Sequence, residues 1–183
     1  MMIFGSRAAF RFPPVTTCLL ILQLSLWLIH PLLFAGVGCN QCLAHGEWWR
    51  LATSLFIHYS FSHLVGNSLC LFAIGSFLEI RLTKIRFLLL FFAAGIAGNI
   101  LTFLVMPVNF VHTGASGAIF GLLGAQLYMF YTERHRYSRE QILLVFALAL
   151  LVTATFFGPN TNIIAHLGGL LAGGLFTPFL YKK

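Results

Sequence analysis

The apolar residues of this chain fall into six long blocks, at about 15–35, 54–80, 87–106, 115–131, 141–158 and 162–181. Short polar or Gly/Pro-bearing stretches separate them. About 20 apolar residues in a helix cross a hydrocarbon core roughly 30 Å thick, so each block predicts a membrane-spanning helix. Punctuation agrees with these boundaries. Pro13-Pro14 precede span 1, Gly36 and Gly38 close it, Pro107 ends span 3, and Gly158-Pro159-Asn160 separate spans 5 and 6. The first block exceeds the ~7–15-residue core of a signal peptide and is read as a retained helix.

Composition supports this pattern. Of 183 residues, 59% are apolar and only 8% are charged, and the mean hydropathy is +0.91. A soluble domain of this size needs more charge to cover its surface. The fold class expected is all-α: a polytopic membrane protein with one six-helix domain over residues 1–183. The net charge of +7 raises nucleic acid as a partner, but the distribution of charge argues against it. Arg7, Arg11, Arg81, Lys84, Arg86, Arg134, Arg136, Arg139, Lys182 and Lys183 all fall on one side of the six spans, and Arg50 alone on the other. The positive-inside rule makes the first side cytoplasmic, with both termini inside.

The stretch from Gly36 to Thr53 is the one long loop, on the outer side, and Trp48 and Trp49 suit the membrane interface. Its Cys39-x-x-Cys42, with His45 three residues on, could form a disulfide or half of a metal site. No second pair completes a metal site, and none is expected. Cys18 and Cys70 lie within spans and are expected to pack as small apolar residues.

Candidate chemistry collects at one depth. Span 4 opens with Gly114-Ala115-Ser116-Gly117, and span 6 carries His166 a few residues from its outer end. Span 2 holds His58, His63 and Asn67, the last two four apart and therefore on one helix face. At 1.5 Å rise per residue, Ser116, His166, His63 and Asn67 all lie roughly 5–20 Å below the outer surface. Gly117 and Gly121 in span 4, and Ala165, Gly169 and Gly173 in span 6, recur every four residues and permit close helix contact. Packing these stripes would bring Ser116 to His166.

A serine hydroxyl becomes a nucleophile when a base takes its proton, and a neutral histidine suits that task. The chain contains no Asp, and its four Glu are Glu47, Glu79, Glu133 and Glu140. None of these belongs at the depth of the site, so a Ser–His dyad is the natural reading. The Ser116 backbone N–H, His63 and Asn67 are candidate oxyanion donors, each worth about 3 kcal/mol in such sites, and Gly114 is grouped with them as an oxyanion- or substrate-stabilising residue.

These residues resemble the rhomboid family of intramembrane serine proteases. Gly114-Ala115-Ser116-Gly117 is similar to the family's G-x-S-G motif, and His63-Leu-Val-Gly-Asn67 to its H-x-x-x-N oxyanion motif, with His58 upstream. Ala165-His166 followed by Gly168-Gly169 resembles its catalytic-histidine helix. Trp49-Arg50 resembles the W-R pair of the first loop, and Glu79-x-Arg81 its E-x-R element. The resemblance covers spans 2 to 6. It implies a six-helix bundle in minimal form, with no extra cytosolic domain, in a bacterial inner membrane. It implies cleavage of transmembrane substrates near the outer surface, with Ser116 as nucleophile and His166 as base. It also implies that an aromatic ring one turn after the serine, here Phe120, stacks on the histidine. No cofactor is implied. The expected partners are transmembrane proteins and the lipid bilayer, and the oligomeric state stays open. Two rival readings are a non-catalytic rhomboid-like binder of transmembrane helices and a small transporter lined by His58, His63 and His166. His112, just before span 4, is expected to be a solvated loop residue.

Overall fold

The computed structural model describes residues 13–29, 34–154 and 161–181. Arg7, Arg11, Gly158, Pro159, Asn160, Lys182 and Lys183, used above for topology and punctuation, lie outside the described residues. Six long helices carry the bundle: α1 (Pro14–Leu28), α4 (Phe61–Arg81), α5 (Lys84–Val105), α6 (Ser116–Glu133), α7 (Arg139–Ala154) and α8 (Ile163–Leu180). Two short helices, α2 (Asn40–Ala44) and α3 (Arg50–Thr53), fold the long loop, and a small antiparallel pair joins β1 (Gly38–Cys39) to β2 (Val111–His112). Among the described residues, α4, α5 and α8 are long and apolar enough to cross a membrane by length and composition alone.

Two predicted spans are corrected. Span 1, expected to reach residue 35, ends as a helix at Leu28, and its residues 30–33 lie outside the described residues. Span 2, expected from 54, begins as a helix at Phe61, because Ser60 caps it by accepting the His63 N–H at 3.2 Å. Residues 54–56 form a 3-10 turn instead. Leu55, Phe56 and Ile57 are buried there, and a buried apolar run reads the same in sequence whether helical or not. His58 therefore sits ahead of the helix, not within it.

The interior is organised around α6. It packs against α8 along the two predicted stripes: a Cβ at Gly169 would overlap the Gly117 carbonyl, one at Gly173 the Gly121 carbonyl, and one at Gly124 the Leu170 carbonyl. Without side chains at these positions the two backbones touch, and dispersion between them replaces the hydrophobic drive that lipid cannot supply. Helix α5 closes the third side. A Cβ at Gly98 would overlap the Ala165 carbonyl, and Gly121 faces Ala94.

Helix α1 is held by a buried carboxylate. Glu79 accepts from the Val15 and Thr16 N–H groups, both at 2.8 Å, and from the Thr16 hydroxyl at 2.9 Å. These bonds satisfy orphan donors at the α1 N-terminus, where negative charge is also favoured by the helix dipole. Gly75, one turn earlier, gives Thr16 room to approach. Replacing Glu79 by Gln leaves one acceptor oxygen and no charge. It is expected to lower stability by about 1–3 kcal/mol, read as a lower Tm in detergent. An unchanged Tm would contradict this role. Two residues on, Arg81 donates to Tyr137 at 2.6 Å, to Tyr181 at 3.2 Å and to Glu133, while Tyr181 donates to Glu133 at 2.7 Å. The E-x-R element thus locks one end of the bundle, with Arg81 about 27 Å along α4 from His63.

Candidate active site

The Gly114–Gly117 stretch is shaped by its first glycine. Gly114 has φ +109°, a conformation that costs side-chain-bearing residues. Its N–H donates to the Ser54 carbonyl at 2.9 Å. The His63 imidazole lies on its bare face: a Cβ there would stand 2.6 Å from Cε1 and 2.7 Å from Nε2. Ser116 is then the first residue of α6, where backbone N–H groups have no intrahelical acceptor.

His166 is reached through the next contacts. Gly117, beside Ser116, faces Ala165, beside His166, with the Ala165 carbonyl 3.3 Å from the position of a Gly117 Cβ. One turn into α6, the Phe120 ring stacks on the His166 imidazole, centroids 4.3 Å apart and planes 15° from parallel. His166 is 2% exposed, so this aromatic face fixes the ring plane in a confined space.

Ser116 also borders a small cleft. Gly66, Asn67, Cys70, Ser116, Ile119 and Phe120 line it. Asn67 donates to the His63 carbonyl at 3.0 Å, and its side chain also meets the His58 imidazole. His58 is fully buried and packs edge-on to His63, centroids 5.1 Å apart. Ser116, His166, His63, Asn67, Gly114, Gly117, Phe120 and His58 are therefore gathered at one end of the bundle.

Trp49, Arg50, Glu79 and Arg81 serve elsewhere. Arg50 pairs with Glu47 at 2.7 Å and donates to the Val37 carbonyl at 2.9 Å, which pins the long loop on itself. Trp48 and Trp49 are exposed. Cys39 and Cys42 are joined in a disulfide, and His45 turns to the Gln41 carbonyl at 2.8 Å. His112 is not solvated as expected. It is 7% exposed, its ring covers Gly38 where a Cβ would overlap it, and burial pushes its pKa down to about 4.

Sequence reasoning missed a set of amides around the site. Asn99 on α5 donates to the Leu51 carbonyl and the Ser54 hydroxyl. Asn162 caps α8 by accepting the Ala165 N–H at 3.1 Å. Asn40 donates to the Met106 and Pro107 carbonyls at the end of α5. Each is a lone polar residue in or beside an apolar block, which by itself signals nothing more than helix association.

The fold and site define a polytopic helical membrane protein with a serine and a histidine brought to one end of two glycine-packed helices. Residues 45–183 match the model of the Rhomboid domain, and the chain belongs to the rhomboid family. It is 41% identical to the Bacillus subtilis protein named "Putative rhomboid protease YdcA", over 94% of this chain and 92% of that one. It is 37% identical to Rhomboid protease GluP of Bacillus subtilis over 75% of this chain, but spans only 27% of that longer protein. Rhomboid-like protease 1 of Toxoplasma gondii is 32% identical over 75% of this chain and 49% of its own length.

Proposed function

We propose that this chain is an intramembrane serine endopeptidase that cleaves transmembrane segments through a Ser116–His166 dyad. What supports this reading above all is the Phe120 ring stacked at 4.3 Å on His166, one helical turn from a serine that shares its cleft with Asn67. His166 takes the Ser116 proton as the hydroxyl attacks the peptide carbonyl, then returns it to the leaving amine. The resulting acyl-enzyme is hydrolysed by water. Asn67, His63 and the Ser116 N–H are the donors for the oxyanion. The substrate helix must unwind to present its carbonyl, so small or helix-weakening residues near the scissile bond favour cleavage. The whole chain forms one domain. Its site opens toward the outer surface of a bacterial inner membrane, with both termini cytoplasmic.

A serine-directed fluorophosphonate tests the dyad. Wild-type protein in detergent is expected to label at Ser116 and to cleave a model transmembrane substrate. Ser116→Ala and His166→Ala are each expected to lose at least ~10³-fold in kcat while still folding. Full activity in either variant overturns the mechanism. A wild type that stays unlabelled where an active relative labels instead supports a non-catalytic binder of transmembrane helices.

A further inference from the structure

We propose that Asn99 and Thr102, one turn apart on α5, form a brace that sets the spacing between Ser116 and His166. The inference rests on the dyad reading above. Helix α5 touches both sides of the site. On the serine side, the Asn99 carboxamide donates to the Leu51 carbonyl at 2.8 Å and to the Ser54 hydroxyl at 3.0 Å. The Ser54 carbonyl in turn accepts the Gly114 N–H at 2.9 Å. Asn99 and Ser54 are 3% and 1% exposed, so neither has water as an alternative partner. The turn that Asn99 fixes is the turn from which the Gly114–Ser116 strap hangs.

On the histidine side, the Thr102 hydroxyl donates to the Gly98 carbonyl at 3.0 Å and accepts from the Asn162 carboxamide nitrogen at 3.0 Å. The Asn162 side-chain oxygen accepts the Ala165 N–H, and its backbone carbonyl accepts the His166 N–H at 3.2 Å. Thr102 therefore holds the residue that starts the His166 helix. Just before Asn99, Gly98 brings the α5 backbone against the Ala165 carbonyl. One and a half turns of a single helix thus grip the serine strap at one side and the histidine helix at the other.

Neither Asn99 nor Thr102 lines the cleft. They are positioning residues, and their loss acts on geometry. A dyad tolerates little displacement, since about 1 Å of misplacement costs ~10²-fold in rate. Because the brace contacts no substrate, its loss falls on kcat and not on KM.

The test uses the full chain in detergent with three readouts: kcat and KM on a transmembrane substrate, the rate of fluorophosphonate labelling at Ser116, and thermal unfolding. Thr102→Val is close to isosteric and deletes only the hydroxyl, whereas Thr102→Ser keeps it. Thr102→Val and Asn99→Ala are each expected to lower kcat and the labelling rate by ~10-fold or more, with KM within about 2-fold of wild type. Thr102→Ser is expected to restore both. Ser54→Ala, which removes only the hydroxyl that Asn99 bonds, repeats the serine-side test if Asn99→Ala does not fold. Wild-type labelling rates per folded molecule in Thr102→Val and the serine-side variant would overturn the brace while leaving the dyad intact. If wild-type protein neither labels nor cleaves, the dyad reading falls and the brace falls with it.

Discussion

Replacing Gly114 by alanine is expected to lower cleavage by about 100-fold while leaving the helix bundle assembled. Two independent costs meet at this one position. The backbone φ of +109° is open to glycine and strained for any residue with a Cβ, by about 1–3 kcal/mol. The added methyl would also sit 2.6 Å from the His63 ring, so the strap or the imidazole must move. Either movement disturbs the site. If the strap relaxes, the Gly114 N–H leaves the Ser54 carbonyl and Ser116 shifts at the head of α6. If His63 swings away, a candidate oxyanion donor is lost, and it also leaves its edge contact with His58. Bundle stability rests on the α6–α8 interface and on the Arg81–Glu133–Tyr181 lock, which lie elsewhere. The expected signature is therefore a large loss of kcat and of serine labelling with a Tm lowered by only a few degrees. Near-wild-type labelling of Gly114→Ala would contradict the role given to this glycine.

Much of this was readable from residue types. Charge sidedness set the depth of Ser116, His166, His63 and Asn67, and the structure gathers all four at one end. The four-residue spacing of Gly117, Gly121, Ala165, Gly169 and Gly173 anticipated which helices touch. Backbone conformation was not readable. Nothing in the order of residues says that Gly114 is there for its φ and Gly117 for its missing side chain. The start of α4 was misplaced because Leu55, Phe56 and Ile57 are buried without being helical, and hydropathy registers burial alone. Asn99 and Thr102 went unnoticed because their role depends on partners 45 to 60 residues away in the chain. The Cys39–Cys42 disulfide was not readable either, since a disulfide and a metal half-site share one spacing.

Gly173→Val is expected to be the most damaging single substitution in the membrane core, abolishing activity by separating α6 from α8. A Cβ at Gly173 would overlap the Gly121 carbonyl oxygen and stand 2.6 Å from the Gly121 Cα. Those atoms are helix backbone, and they cannot rotate aside as a side chain would. The helices must part or one must shift along the other, and overpacking of this kind costs about 3 kcal/mol or more. Separation is transmitted directly to the site. The same interface continues through Gly169 against Gly117 to Ala165, so a wedge at Gly173 tilts the helix that carries His166. The Phe120–His166 stack at 4.3 Å depends on that tilt. The neighbouring position supplies the control. A Cβ at Gly174 meets only the Gly124 carbonyl oxygen at 3.8 Å, an ordinary contact. Gly174→Ala is therefore expected to keep full activity and to gain a few tenths to ~1 kcal/mol from helix propensity. Both proteins are compared by thermal unfolding in detergent and by cleavage of the same substrate. Equal Tm and activity for Gly173→Val and Gly174→Ala would show that the α6–α8 contact does not govern the site. A stable Gly173→Val that has lost only activity would instead show that helix separation reaches His166 without unfolding the bundle.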